Sequence, residues 1–236
     1  YEAALEVFTR DAYPEDWAMT QMNLGTAYRN RIRGERAENL ELAIAAYEAA
    51  LEVFTRDAYP EDWAMTQENL AYAYIDIDNA TAVIQHFQAS LEIFTPSSFP
   101  LNCLKAGRNL GEFAYNRQDW ENAFIGYNNA IKAVEQSRNW ATSPQTKRQL
   151  LEDALPLYGK MIQTCIHLER YDDALLTVER SKSRTLIELL SQVNLVPTAA
   201  TPEQQQRYRQ LSQQIAVLEL AMGGDGEQGS GGAGEQ

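Results

Sequence analysis

The sequence predicts an all-α protein built from repeated pairs of helices. One 21-residue segment, YEAALEVFTRDAYPEDWAMTQ, occurs at Tyr1–Gln21 and again at Tyr47–Gln67 with every position identical. A long internal repeat of this kind is typical of repeat architectures. Between the two copies the apolar residues recur every three or four positions, which is the period of an amphipathic helix and not of a strand.

The first helix pair lies between the two copies. Pro14 suits the first position of a helix, and Glu15 and Asp16 place negative charge in the first turn, where the helix dipole favours it. The apolar positions of the first helix, up to the break at Gly34, are Trp17, Leu24, Ala27, Tyr28 and Ile32. The apolar positions of a second helix, from about Ala37, are Leu40, Ile44, Tyr47, Leu51 and Phe54. Neither helix can bury its apolar stripe alone, so we expect neighbouring pairs to stack.

The motif in this pair resembles the tetratricopeptide repeat. In that family a leucine, a small residue and a tyrosine mark the first helix, and an alanine, an aromatic residue and an alanine mark the second. Here these are Leu24, Gly25 and Tyr28, then Ala43, Tyr47 and Ala50. The resemblance implies a right-handed superhelix of helix-turn-helix units.

Three further units follow the same order. They comprise Leu70, Ala71, Tyr74, Val83, Phe87 and Ser90; Leu110, Gly111, Ala123, Tyr127 and Ala130; and, in degenerate form, Met161, Ile162, Cys165, Ala174, Val178 and Ser181. The aromatic residue of the second helix recurs at Tyr1, Tyr47, Phe87 and Tyr127. These intervals exceed the usual period of the family, which is about 34 residues, so we expect longer helices or loops.

The rest of the chain divides into three parts. Ser143 and Pro144 predict the start of a long helix that ends near Leu168. Arg170–Leu190 predicts one long helix, or two with a bend at Ser181–Ser183. We therefore assign residues 1–191 to the repeat array, 192–222 to a proline break and an amphipathic C-terminal helix, and 223–236 to a flexible glycine-rich tether.

A second resemblance lies at the end of the array. The segment VERSKSRTLIELL, Val178–Leu190, with the proline break and the Gln-, Arg- and Leu-rich helix after it, is similar to the helical region that precedes the caspase-like CHAT peptidase domain in bacterial proteins, often cyanobacterial ones. The resemblance implies a regulatory or sensing arm. The peptidase domain itself would lie beyond Gln236.

Composition limits the classes of partner. The formal net charge of −13 disfavours binding to nucleic acid and to anionic membranes and favours basic or neutral ligands. We find no transmembrane segment and no secretory signal, and two cysteines are too few for a disulfide framework. We therefore expect a cytoplasmic protein, and because the chain opens inside a repeat unit we expect its natural N-terminus upstream.

No catalytic constellation is apparent, so we expect no enzymatic activity, cofactor or metal in this chain. We interpret His86 as a surface or half-buried histidine. Cys165 and His167 are two positions apart on a helix and should point to different faces. Cys103, near a helix start, could have a depressed pKa, but a packed, inert thiol is the favoured interpretation.

The tetratricopeptide resemblance implies a ligand groove lined by the first helix of each unit. Carried onto this chain, the groove positions are Met19, Met22, Thr26, Arg29 and Asn30; Met65, Glu68, Tyr72, Ile75 and Asp76; and Lys105, Arg108, Glu112, Tyr115 and Asn116. Alternatively, some of them pack only against the neighbouring unit. Met22 and Thr26 stand where relatives that bind acidic C-terminal tails have a lysine and an asparagine, so we expect no binding of such tails.

These observations predict a protein- or peptide-binding scaffold, the regulatory arm of a larger protein with a peptidase domain downstream. Changes in helix stacking would then pass through Arg170–Leu190. A stand-alone adaptor is an alternative. A self-assembling repeat module is another, because Tyr1–Phe8 is half of a helix pair with an uncovered face.

Overall fold

The computed structural model describes residues 1–192, with residues 144, 151 and 182–192 given by their backbone alone, and the isolated residues 201, 203 and 206. This part of the chain contains nine α-helices and no strand, which confirms the all-α prediction. The helices are α1 Glu2–Leu5, α2 Pro14–Arg29, α3 Arg36–Leu51, α4 Pro60–Asp76, α5 Ala80–Ile93, α6 Pro100–Asn116, α7 Trp120–Trp140, α8 Pro144–His167 and α9 Tyr171–Gln192. The predicted C-terminal helix and tether lie outside the described residues, apart from those isolated positions.

Proline starts the first helix of each pair, as predicted. Pro14, Pro60, Pro100 and Pro144 each occupy an N-terminal position of a helix, where the missing N–H costs no hydrogen bond. Ser143 caps α8, because its side chain accepts a hydrogen bond from the backbone N–H of Thr146. The helix predicted from Ser143 and Pro144 is thus confirmed.

Three of the turns within pairs share one conformation. Asp78, Gln118 and Glu169 have φ of 57°, 59° and 57°, a left-handed conformation that ends the preceding helix. The first pair instead has a six-residue loop, 30–35, in which Gly34 has φ of 82°. The prediction that Ile32 belongs to the apolar stripe of α2 is wrong. The helix ends at Arg29, and Ile32 is 97% exposed in the loop.

Small residues set the distance between the two helices of a pair. A Cβ atom at Gly25 would lie 2.7 Å from the ring of Tyr47, and one at Gly111 would lie 2.6 Å from the ring of Tyr127. Both tyrosines are fully buried. The recurring small and aromatic residues of the sequence are therefore paired across each of these two helix hairpins, where no larger residue than glycine fits.

The last helices are longer than the first. Helix α8 has 24 residues, whereas α2, the corresponding helix of the first pair, has 16 residues. Helix α9 runs from Tyr171 to Gln192 as one helix, without a break at Ser181–Ser183. Among the described helices, none combines the length and the apolar character that crossing a bilayer requires.

Candidate functional site

The first helices of successive pairs contact one another through several of the residues predicted to line a groove and through others that were not predicted. The hydroxyl oxygen of Thr66 in α4 lies 3.4 Å from Sδ of Met22 in α2. The guanidinium carbon of Arg29 lies 5.2 Å from the centre of the Tyr72 ring. Tyr115 Oη in α6 donates to Gln163 Oε1 in α8 over 2.6 Å. Helices α2, α4, α6 and α8 therefore lie side by side, and we call the face on which these residues meet the shared face.

The seam between α2 and α4 is closed by packing and by one ion-pair cluster. Met22 is buried, with 8% exposure, so its side chain belongs to the core and not to the surface of the shared face. Arg29 Nε donates to Asp76 Oδ2 over 2.8 Å, and Arg36 reaches the same oxygen over 2.9 Å. These contacts hold the C-terminal ends of α2 and α4 together.

The seam between α4 and α6 is closed by a half-buried ion pair. Lys105 Nζ donates to Glu68 Oε2 over 2.9 Å, and the side chain of Glu68 is 5% exposed while that of Lys105 is 60% exposed. Burial raises the pKa of the Glu68 carboxyl, and Lys105 offsets part of that rise. The second oxygen, Oε1, is buried and has no hydrogen-bond partner within the described part of the chain.

Tyr72 lies at the centre of the shared face. Its hydroxyl accepts a hydrogen bond from Asn109 Nδ2 over 2.5 Å, and Lys105 Nζ lies 5.5 Å from the centre of its ring. With Arg29 also against this ring, the structure brings Arg29, Glu68, Tyr72 and Lys105 into one cluster that spans three helices. Each of these side chains also bridges neighbouring pairs, so they serve packing whether or not a ligand binds.

Other predicted groove positions are more open to solvent. Met19 is 37% exposed, and Thr26 and Glu112 are exposed. The hydroxyl of Thr26 is also within hydrogen-bond distance of Tyr47 Oη, at 3.1 Å. Met65 is half-buried and packs against the core on both sides of α4.

The seam between α6 and α8 contains a cavity of about 580 Å³. Its walls come from α6, the C-terminal half of α7 and the N-terminal half of α8. They comprise Leu104, Arg108, Val134, Leu150, Glu152, Asp153, Ala154 and Pro156. Of these residues, Arg108 alone was predicted to line the groove. The extra length of the helix that starts at Pro144 was the signal that could have indicated a change in geometry here.

The far end of this seam is closed by aromatic contacts. Lys160 Nζ lies 3.9 Å from the centre of the Tyr115 ring, and Tyr115 packs edge-on against Trp120 with ring centres 5.3 Å apart. Trp120 in turn stacks on His167 at 4.0 Å. The α6–α8 cavity is therefore bounded at one end by packed side chains.

The candidate chemical residues lie apart from one another. His86 is half-buried, shares a 2.6 Å hydrogen bond with Gln67 and stacks on Tyr74, and burial lowers its pKa. Burial raises the pKa of Cys103 to about 12, so the packed-thiol interpretation is confirmed. Cys165 is buried while His167 is exposed, as expected for positions on different helix faces.

Within the described residues, histidine, cysteine, aspartate and glutamate side chains form no group of three or more that could hold a metal ion. Among the features that this part of the chain offers for recognition are the shared face and the α6–α8 cavity. Comparison of the chain with protein-family models and with curated proteins returns no match.

Proposed function

We propose that the chain is a protein- or peptide-binding scaffold of the tetratricopeptide-repeat kind that holds its ligand on the shared face of α2, α4, α6 and α8. The observation that supports this most is that residues far apart in the sequence, such as Arg29 with Tyr72 and Tyr115 with Gln163, meet at equivalent places on successive first helices. In this proposal the pairs coil into a right-handed superhelix, and the shared face is its concave side.

The proposal includes a regulatory role for the array next to a CHAT-type peptidase domain. Glu135 in α7 supports a mechanical connection, because it accepts a hydrogen bond from Tyr158 in α8 over 3.1 Å and pairs with Arg180 in α9 over 2.6 Å. Since α9 is one continuous helix, a change in the stacking of α7 and α8 would be carried along it.

A peptide-display selection against the full chain tests the scaffold function. The enriched peptide is labelled, and its Kd is measured by fluorescence anisotropy for the wild type, for Glu112→Lys and for the matched control Glu121→Lys. Glu112 is exposed on the shared face and Glu121 is exposed on α7. We expect the first substitution to change Kd by about tenfold and the second by less than about twofold.

Two outcomes would count against the scaffold. One is the absence of any enriched peptide, and the other is an equal effect of the two substitutions. Tyr72 is a poor choice for this test, because its alanine variant would also remove packing against Phe87, 5.5 Å away between ring centres, and the bond with Asn109.

A self-assembling module is the second candidate, and one observation favours it. Tyr1, Val7 and Tyr13 at the first end of the array are 61%, 64% and 51% exposed, and exposed apolar patches can mark sites of association. Sedimentation velocity over a wide concentration range tests this candidate. A constant monomer favours the scaffold, and growth of oligomers with concentration that Val7→Glu abolishes favours the module.

A further inference from the structure

We propose that the α6–α8 cavity is the anchor site of the ligand, and that it accepts one apolar side chain of a basic peptide segment. This inference rests on the proposed scaffold function and specifies where the ligand is held and which class of peptide it is. Four properties of the cavity support it: the space, the apolar walls, the hydrogen-bond donors and the charge.

The space lies at the α6–α8 seam. Met22 and the Arg29–Asp76 pair close the α2–α4 seam, and the Glu68–Lys105 pair closes the α4–α6 seam. The α6–α8 cavity measures about 580 Å³, a size at which pockets commonly bury a whole ligand group. In this proposal a side chain of a bound peptide occupies this space.

The walls of the cavity are suited to an apolar side chain. Val134 and Ala154 are buried, with 3% and 1% exposure, and Leu104 and Leu150 are half-buried beside them. An aliphatic or aromatic side chain that enters the cavity would bury its own apolar surface together with the exposed parts of Leu104 and Leu150, and burial of this kind is the main favourable term in most association. Burial of this kind at a central pocket is how most interfaces obtain their binding energy.

The hydrogen-bond donors come from Arg108. Its side chain lines the cavity and is half-buried, and no other side chain in the described part of the chain pairs with it. A guanidinium has five N–H donors and no acceptor. The carbonyl oxygens of a peptide main chain are acceptors that it could satisfy, so a ligand backbone that crosses the cavity mouth fits this wall.

The charge favours a basic residue next to the apolar one. Glu152 and Asp153 are exposed on the α8 wall, across the cavity from Arg108 on α6. The chain carries a formal net charge of −13, which attracts cations over distance and repels acidic segments. A lysine or arginine beside the apolar residue would meet these two carboxylates, while Arg108 binds the main chain.

The test uses the full chain and a display library of random peptides with blocked ends. We expect enrichment of sequences with a bulky apolar residue adjacent to lysine or arginine. For one enriched peptide, we expect the double variant Glu152→Gln, Asp153→Gln to weaken binding about tenfold and to flatten its salt dependence. The control Glu121→Gln, Glu179→Gln removes the same charge from exposed positions outside the cavity and should change Kd by less than about twofold.

A second pair of variants tests the space. Leu150→Trp places a larger side chain at the half-buried wall and should abolish binding, whereas Leu150→Ala enlarges the opening and should retain it. Far-ultraviolet circular dichroism during thermal unfolding shows whether both variants remain folded, and the charge variants do not depend on this result.

The outcomes separate the two proposals. If no peptide is enriched, both the scaffold function and the anchor site are overturned. If peptides bind and Glu112→Lys weakens them, but the Glu152, Asp153 and Leu150 variants bind like the wild type, the anchor site is wrong and the scaffold stands. Enrichment of acidic peptides, with binding lost in Arg108→Gln, would also overturn the assignment of a basic ligand.

Discussion

The two copies of the repeated segment have the same sequence and the same local structure but different burial. In both, a threonine Oγ1 accepts a hydrogen bond from the N–H three residues later, over 3.4 Å in Thr9–Ala12 and 3.3 Å in Thr55–Ala58. In both, a phenylalanine packs edge-on against the tyrosine that follows it, at 5.9 Å and 5.6 Å between ring centres. The loop and the helix start are therefore specified by the segment itself.

The surroundings differ at the tyrosine that opens each copy. Tyr1 is 61% exposed, whereas Tyr47 is 1% exposed, packs over Gly25 and lies 3.1 Å from the Thr26 hydroxyl. The pair shows that local sequence determines conformation, while the neighbouring helix determines how much that conformation contributes to stability. Substitutions in the repeated segment, or in the residues that surround it, test this comparison.

The largest effect on stability is expected from removing the side chain of Tyr47, the tyrosine that opens the second copy. Tyr47→Ala should lower the free energy of unfolding by about 3–5 kcal/mol, the usual cost of deleting a buried aromatic ring. Tyr1→Ala should change it by less than about 0.5 kcal/mol, because that ring is in water. Urea denaturation of both variants measures the difference. Equal losses would mean that the two tyrosines have similar surroundings in solution.

The first position at which the copies differ should give the next largest effect. Met22 and Glu68 follow the identical segments, and both are buried, with 8% and 3% exposure. Met22→Glu buries a charge that has no lysine partner and should cost about 3 kcal/mol. Glu68→Met removes a costly buried carboxylate and should leave stability unchanged or raise it by about 1 kcal/mol. A large loss in Glu68→Met, measured by urea denaturation, would show that the Glu68–Lys105 pair is strongly stabilising.

A smaller effect is expected from a substitution in α2, the helix whose residue Gly25 packs against the ring of Tyr47. In Gly25→Ala, the added methyl group would lie 2.7 Å from the Tyr47 ring, and the overpacking should cost about 1–3 kcal/mol. Gly159→Ala in α8 is the control, because a Cβ there meets nothing within 4 Å. The control should raise the thermal midpoint slightly, since alanine favours a helix more than glycine does. Similar midpoints for the two variants would contradict the close packing at Gly25.

The smallest expected effect is a difference between the wild type and Glu68→Met in how stability depends on pH. Burial raises the pKa of Glu68, so the folded chain keeps this proton at pH values where the unfolded chain has released it. Stability should therefore fall as the pH rises from the ordinary carboxyl pKa through the raised pKa of Glu68. Glu68→Met, which places at position 68 the residue type found at Met22, should remove this part of the pH dependence of stability. Midpoints of urea unfolding across the acid range measure it, and identical slopes in wild type and variant would contradict a raised pKa.

Much of the fold could be predicted because its signals are local. Prolines at helix starts and the capping residue Ser143 follow from residue type and spacing. Ile32 was misplaced because its spacing matches the helical period although the helix has already ended at Arg29. The periodicity of apolar residues predicts which face of a helix is buried better than it predicts where the helix ends.

The candidate site could be predicted in part. Repeat offsets indicated that Arg29, Tyr72 and Lys105 lie on successive helices at one face, and these residues do meet. The offsets could not show that Met22 is buried, or that Glu68 pairs with Lys105. Those contacts depend on the distance in space between helices of different pairs, which residue spacing along the chain does not encode. The α6–α8 cavity also depends on the distance between helices of different pairs. That distance changes at α8, which is longer than the corresponding helix of the first pair.

Among the described helices, most packing occurs between elements that are neighbours in the chain, and the first helices of successive pairs add a smaller number of direct contacts. Such a protein has a low contact order, so little loop-closure entropy opposes the formation of any one pair. We therefore expect folding to start at more than one place along the chain and to spread to adjoining pairs. A duplication or deletion of one complete pair would then alter the length of the array without requiring a new fold.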